Sequence, residues 1–225
     1  MAISTGGGNE KVFILAFLMI LFNFNVLADG KTLIYKETTG NTMITSTWKI
    51  DSLENGYCIT ATNSNEFHEI NCNKDYATLS WEYTNQNLRK QILTQRIGDQ
   101  ISVTGKHKNK EIKQEFAIDN QPWFEFIEVS LIPFIESSDK SKEFWILQPY
   151  DLKLYKMVAM KQKVETIIVN NNSIEAFNVK VTLPGFASVF WKVNYWFRKT
   201  DGVYVRYEGV KGAPGTPKTI VELIN

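Results

Sequence analysis

The most constraining feature of this chain is strict alternation of apolar and polar residues in its last third. In WKVNYWFRKT, Trp191, Val193, Tyr195 and Phe197 fall on one face, and Lys192, Asn194, Trp196 and Arg198 on the other. After Asp201-Gly202, Val203, Val205 and Tyr207 alternate with Tyr204, Arg206 and Glu208. A period of two is a strand with one buried face, and two such runs around a tight turn make a β-hairpin. Such a hairpin cannot bury its face alone, so the earlier strands are expected to pack onto it.

Those earlier strands are legible between turn signals. From Lys31 to Ile118, breaks at Thr39-Gly40-Asn41, Glu54-Asn55-Gly56, Asn63-Ser64-Asn65, Asn85-Gln86-Asn87, Gly98-Asp99 and Lys106–Lys110 delimit eight short strands. Strands resume at 143–148, 152–160, 163–170 and 174–183. Even spacing without a strand–helix rhythm implies an antiparallel meander that curves into an open or partly closed barrel.

Residues 122–136 break the pattern. Phe124, Ile127, Leu131 and Ile135 keep helical spacing, Pro122 suits a first turn, and Asp119 or Asn120 is placed to cap it. The expectation is one buried helix filling the mouth of the curved sheet; two short core strands are the competing reading.

At the front, VFILAFLMILF (12–22) is an unbroken apolar run followed by Val26-Leu27-Ala28. It reads as a secretory signal peptide, 1–28, leaving a single β-rich domain over 29–225 with no transmembrane span. Export to a periplasm is expected, secretion being the alternative. In that compartment Cys58 and Cys72 read as a disulfide across a hairpin centred near Asn65; two free thiols are the other reading. The net charge of +1 argues against nucleic acid as a partner.

Catalytic chemistry finds no foothold. His68 and His107 read as surface residues without zinc-ligand spacing, and Glu125 and Glu128 as the wetter edge of the helix. No nucleophile elbow or metalloprotease motif occurs, so no catalytic residue, metal or cofactor is assigned. Two stretches remain. The loop 209–218 is either a rigid turn or an anion-binding nest of backbone amides served by Arg206, Lys211, Gly212, Gly215 and Lys218. Trp196 and Tyr204 sit opposite Trp191 and Tyr195 by alternation, so both faces of the closing hairpin are buried or one lines a pocket or meets a partner.

FWILQPYDLKLYKMVAMK and YWFRKTDGVYVRYEGVKGAPGTPKTIVEL together resemble a family of uncharacterised exported bacterial β-rich envelope proteins, a domain of unknown function. The resemblance implies a bacterial periplasmic setting and no established activity. More remotely, a meander with one buried helix is similar to lipoprotein-carrier-like half-barrels, which hold acyl chains between sheet and helix. The expected function is non-enzymatic binding of an apolar or amphipathic ligand such as a lipid, with Phe124, Ile127, Leu131, Trp196 and Tyr204 as candidate lining. The alternative is a structural or assembly factor that binds another envelope protein; a hydrolase-like enzyme ranks last.

Overall fold

The computed structural model describes residues 30–189, 191–211 and 216–225. The expected signal segment lies outside the described residues, as do Gly212 and Gly215 of the proposed nest. The fold is mainly β. A first meander holds β1 (Lys31–Thr39), β2 (Thr42–Leu53), β3 (Gly56–Thr62), β4 (Glu66–Asn73), β5 (Thr78–Asn85), β6 (Lys90–Ile97), β7 (Gln100–His107) and β8 (Lys110–Ala117). A link with two short helices, α1 (Ile127–Ser130) and α2 (Ile132–Glu136), leads to a second meander. This comprises β9 (Ser141–Gln148), β10 (Lys153–Val169), β11 (Asn172–Thr182), β12 (Lys192–Arg198) and β13 (Tyr204–Gly209), closed by β14 (Thr219–Leu223).

The fourteen strands among the described residues form one antiparallel sheet, ordered β8 through β1, then β14, then β13 down to β9. The two meanders therefore meet where β14 lies between β1 and β13. Turn chemistry sets the strand ends. Asn170 and Asn171 carry φ of 47° and 63°, the left-handed pair that a two-residue hairpin requires and asparagine tolerates. The sheet curls so that one face is enclosed: Leu33, Tyr35, Ile50, Ile59, Trp81, Tyr83, Ile92, Phe144, Val181 and Phe197 are all buried on it.

The sheet does not close strand to strand. Its edges are β8 and β9, and the gap is filled by residues 122–126. The Phe124 N–H donates to the Trp145 carbonyl (2.8 Å) and the Trp145 N–H to the Pro122 carbonyl (2.8 Å), a parallel bridge onto β9. On the other side the Thr78 N–H donates to the Trp123 carbonyl (2.8 Å), and the Glu125 N–H to Thr78 Oγ1 (3.0 Å). This strip is the reason the expected helix is shorter than 122–136. Its backbone groups are spent on β5 and β9, and helix begins only at Ile127. Asp119 caps nothing; it accepts from the Gln121 N–H, Trp145 Nε1 and Lys156 Nζ instead.

Three other expectations are corrected by register. The strands expected at 152–160 and 163–170 are one strand, β10, bent by a bulge between Lys161 and Val164. Cys58 and Cys72 are free thiols. Asn63 Oδ1 accepts from the Asn65 and Glu66 amides (2.8 and 2.9 Å), fixing a turn that pairs Thr62 with Phe67. Cys72 is then opposite Tyr57 and Cys58 opposite Asn71, one residue out of step, so the two thiols face opposite sides of the sheet. Finally, the register slips by one between Trp196 and Phe197: Trp196 pairs with Arg206, but Phe197 pairs with Tyr204. That bulge turns Tyr204 to the interior and leaves Trp196 alone on the outer face. Among the described residues, no helix is long and apolar enough to cross a membrane.

Candidate functional site

The link that seals the barrel also builds its groove. A cleft of about 450 Å³ lies between the link and the sheet. Pro122, Phe124, Pro133 and Phe134 form its apolar side, and the β4–β5 turn contributes Asn73, Asp75 and Ala77. Arg96 of β6 and Lys142 of β9 line it with Asp139 and Asn120. Arg96 donates to the Gly98 carbonyl (Nε, 3.1 Å) and the Gln121 carbonyl (3.1 Å), both neutral acceptors that leave its charge uncancelled. The groove thus offers an apolar wall and both signs of charge.

Of the residues expected to line a ligand site, the structure brings Phe124 to this groove. Phe124 packs on Phe144, ring centroids 5.1 Å apart. Ile127 and Leu131 are buried in the core. Tyr204 is interior too, its ring 5.1 Å from Tyr35 and stacked at 6.0 Å on Trp48, with its hydroxyl buried and unpartnered. Trp196 is closed over on the outer face: its indole N–H donates to Glu165 (2.8 Å), which also accepts from Asn178 (2.8 Å), and Arg206 lies over its ring. Neither aromatic is an exposed patch.

The cations of the proposed anion nest are committed elsewhere. Arg206 pairs with Glu222 (2.8 Å) and Glu208 (3.1 Å), Lys218 with Glu208, and Lys211 with Glu37 (2.6 Å). Each positive charge has a carboxylate beside it, as a clamp on the closing strands would, and an incoming anion would have to displace these partners.

A second polar cluster was missed by sequence reading. His68 is not a surface residue; its ring packs among Trp81, Tyr83 and Phe126. Its Nδ1 accepts from Trp81 Nε1 (3.3 Å), which assigns the proton to Nε2, 3.9 Å from a Glu66 oxygen. Glu66 also accepts from the Tyr83 hydroxyl (2.9 Å), Asn85 Nδ2 (2.8 Å) and the Tyr150 hydroxyl (3.4 Å). Burial alone would raise the Glu66 carboxyl, but the nearby His68 ring and the hydrogen bonds from Tyr83 and Asn85 outweigh it and hold it at about 2. The indole takes up Nδ1, while Nε2 stands beyond hydrogen-bond distance of the Glu66 carboxylate. Lys90, buried nearby, donates to the Pro149 and Tyr150 carbonyls. The cluster therefore ties the β9–β10 turn to β4–β6, across the seam. Alternation carried one signal for it: Glu66, His68 and Tyr83 fall on core-facing positions, where a charge needs partners.

Glu125 and Glu128 are likewise not a wet helix edge. Burial pushes both carboxyls up, and Glu125 accepts from Trp123 Nε1 (3.0 Å) and the Leu147 N–H (3.3 Å), fastening the strip to β9.

No family model and no curated protein matches this sequence. Among solved structures, it is similar to the crystal structure of a β-barrel-like protein of domain of unknown function DUF1849 from Brucella abortus. The TM-score is 0.61 at 9% identity, covering 86% of this chain and 95% of that one. At that identity the likeness concerns the fold: a β-barrel-like domain of unknown function, as the C-terminal resemblance implied.

Proposed function

We propose that this is a non-enzymatic binding protein that holds an apolar or amphipathic ligand in the groove between the sealing link and the curled sheet. The observation that carries this reading is the groove itself. Its volume of about 450 Å³ suits a small-molecule site, roughly 300–1,000 Å³. An apolar wall beside Arg96, Lys142, Asp75 and Asp139 suits a molecule with a hydrocarbon part and a polar or charged end. The apolar segment 12–22 supports export, so the ligand would be met in a bacterial periplasm.

Native mass spectrometry of the exported protein, followed by organic extraction, tests this. An extractable stoichiometric adduct is expected, and Ala77→Trp, which fills the groove from the β4–β5 turn, should remove it while leaving the protein folded. A bare wild-type protein that also fails to bind a fluorescent fatty-acid analogue would overturn the reading, as would an adduct that Ala77→Trp leaves in place.

A further inference from the structure

The link between β11 and β12 carries the most exposed large apolar side chains of the described residues. A single 3-10 turn, Gly185–Val189, presents Phe186 at 94% exposure and Val189 at 75%. Met43, 71% exposed, stands at the same end of the sheet, where β2 begins and β1 ends. The turn sits in basic surroundings. Lys192 follows it directly in β12, and Lys180 precedes it on the outer face of β11, opposite Asn194. The β9–β10 turn also lies at this end, with Lys153 beside Asp151. Lys180 and Lys192 have no carboxylate partner among the described residues, whereas the acidic residues Glu37, Glu208 and Asp151 at this end are each paired with another lysine.

We infer that this end of the barrel docks on an anionic lipid surface, with Phe186 and Val189 entering the interface and the lysines facing the headgroups. A stable protein interface buries about 800 Å² per partner, more than a five-residue turn with two apolar side chains offers. A membrane asks only for an apolar tip that partitions and cations that approach phosphate. The inference stands on the exposed turn and its charges and does not need the groove to be occupied.

The test uses the exported protein with vesicles of phosphatidylcholine alone or mixed with phosphatidylglycerol. Co-sedimentation with the mixed vesicles, weakened by salt, is expected. Phe186→Ser, at a site with no packing to lose, should weaken it about tenfold, and Lys180→Glu/Lys192→Glu by a similar factor. A tryptophan introduced by Phe186→Trp reads the contact directly: its added emission should shift to the blue and be quenched by brominated lipid. Equal binding by Phe186→Ser, or an added tryptophan that stays in water while the protein sediments, would overturn the inference. Equal binding to neutral vesicles would overturn the role of the lysines.

Discussion

Glu66 shows how much one buried residue can set. Its carboxylate is held at about 2, below the ordinary 4.5, because its hydrogen-bond donors require the ionised form. A depressed carboxyl contributes stability that is present above its unfolded value and disappears as pH falls through the folded one. From the size of the shift that contribution is about 3 kcal/mol at neutral pH. Thermal melts should therefore lose stability steeply between pH 5 and pH 2, and Glu66→Gln should flatten that slope while lowering the midpoint at neutral pH. A parallel pH profile for the two proteins would show that the network is not what holds the carboxylate. The cysteines allow a second residue-scale prediction. With the thiols on opposite faces, a reductant should leave the melting temperature unchanged. Cys72, buried and pushed up to about 12, should label only on unfolding, whereas half-buried Cys58 should label in the native state. Protection of both thiols that is lifted by reductant would mean a bridge forms. Sequence reading could find the cysteines and the hairpin but not this outcome. Pairing depends on parity, and the Asn63 side chain shifts the turn by half a residue.

At the scale of elements, strand identity was legible and strand geometry was not. Alternation marks β11, β12 and β13 clearly, because a half-buried strand writes its burial into every second residue. Bulges leave no such mark. The extra residue in β13 moved Tyr204 from the outer face to the core, and the one in β10 joined two expected strands into one. The strip at 122–126 is another case: its apolar residues satisfy a helical template, but they are apolar because the strip is buried between β5 and β9. Gly105 offers a test at this scale. It lies in β7 with φ of 149°, and a Cβ there would sit 2.1 Å from the Gln91 carbonyl oxygen in β6. Gly105→Ala should therefore cost about 2–3 kcal/mol by forcing β6 and β7 apart. A midpoint in denaturant unchanged from wild type would show that the two strands can yield at no expense.

For the whole molecule, the seam matters most. β8 is an exposed edge studded with Lys110, Glu111, Lys113 and Glu115, charges that discourage pairing with another sheet. The other edge, β9, is covered by the strip and pinned at its turn by Lys90 and Tyr150. Lys90→Met keeps the side chain's bulk but removes its hydrogen bonds to the Pro149 and Tyr150 carbonyls. Backbone amides around the β9–β10 turn, such as Leu152, should then exchange with deuterium at least about tenfold faster, with β11–β13 unaffected. Uniform acceleration across the sheet would show that the seam has no stability of its own. None of this was written in the sequence, since closure joins residues far apart along the chain and contributes no periodic signal.

The place of β14 has a consequence for how the chain reaches this state. Among the described strands it is synthesised last, and it joins the two meanders along the sheet. Each half can pair locally as it emerges, but the enclosed core needs a contact between β1 and β14, with Tyr35 opposite Leu223. Assembly is thus postponed until β14 has emerged, and closing so long a loop makes the final step slow. The export proposed above would gain from that delay, since a chain threading a secretion channel has to stay unfolded until it has passed.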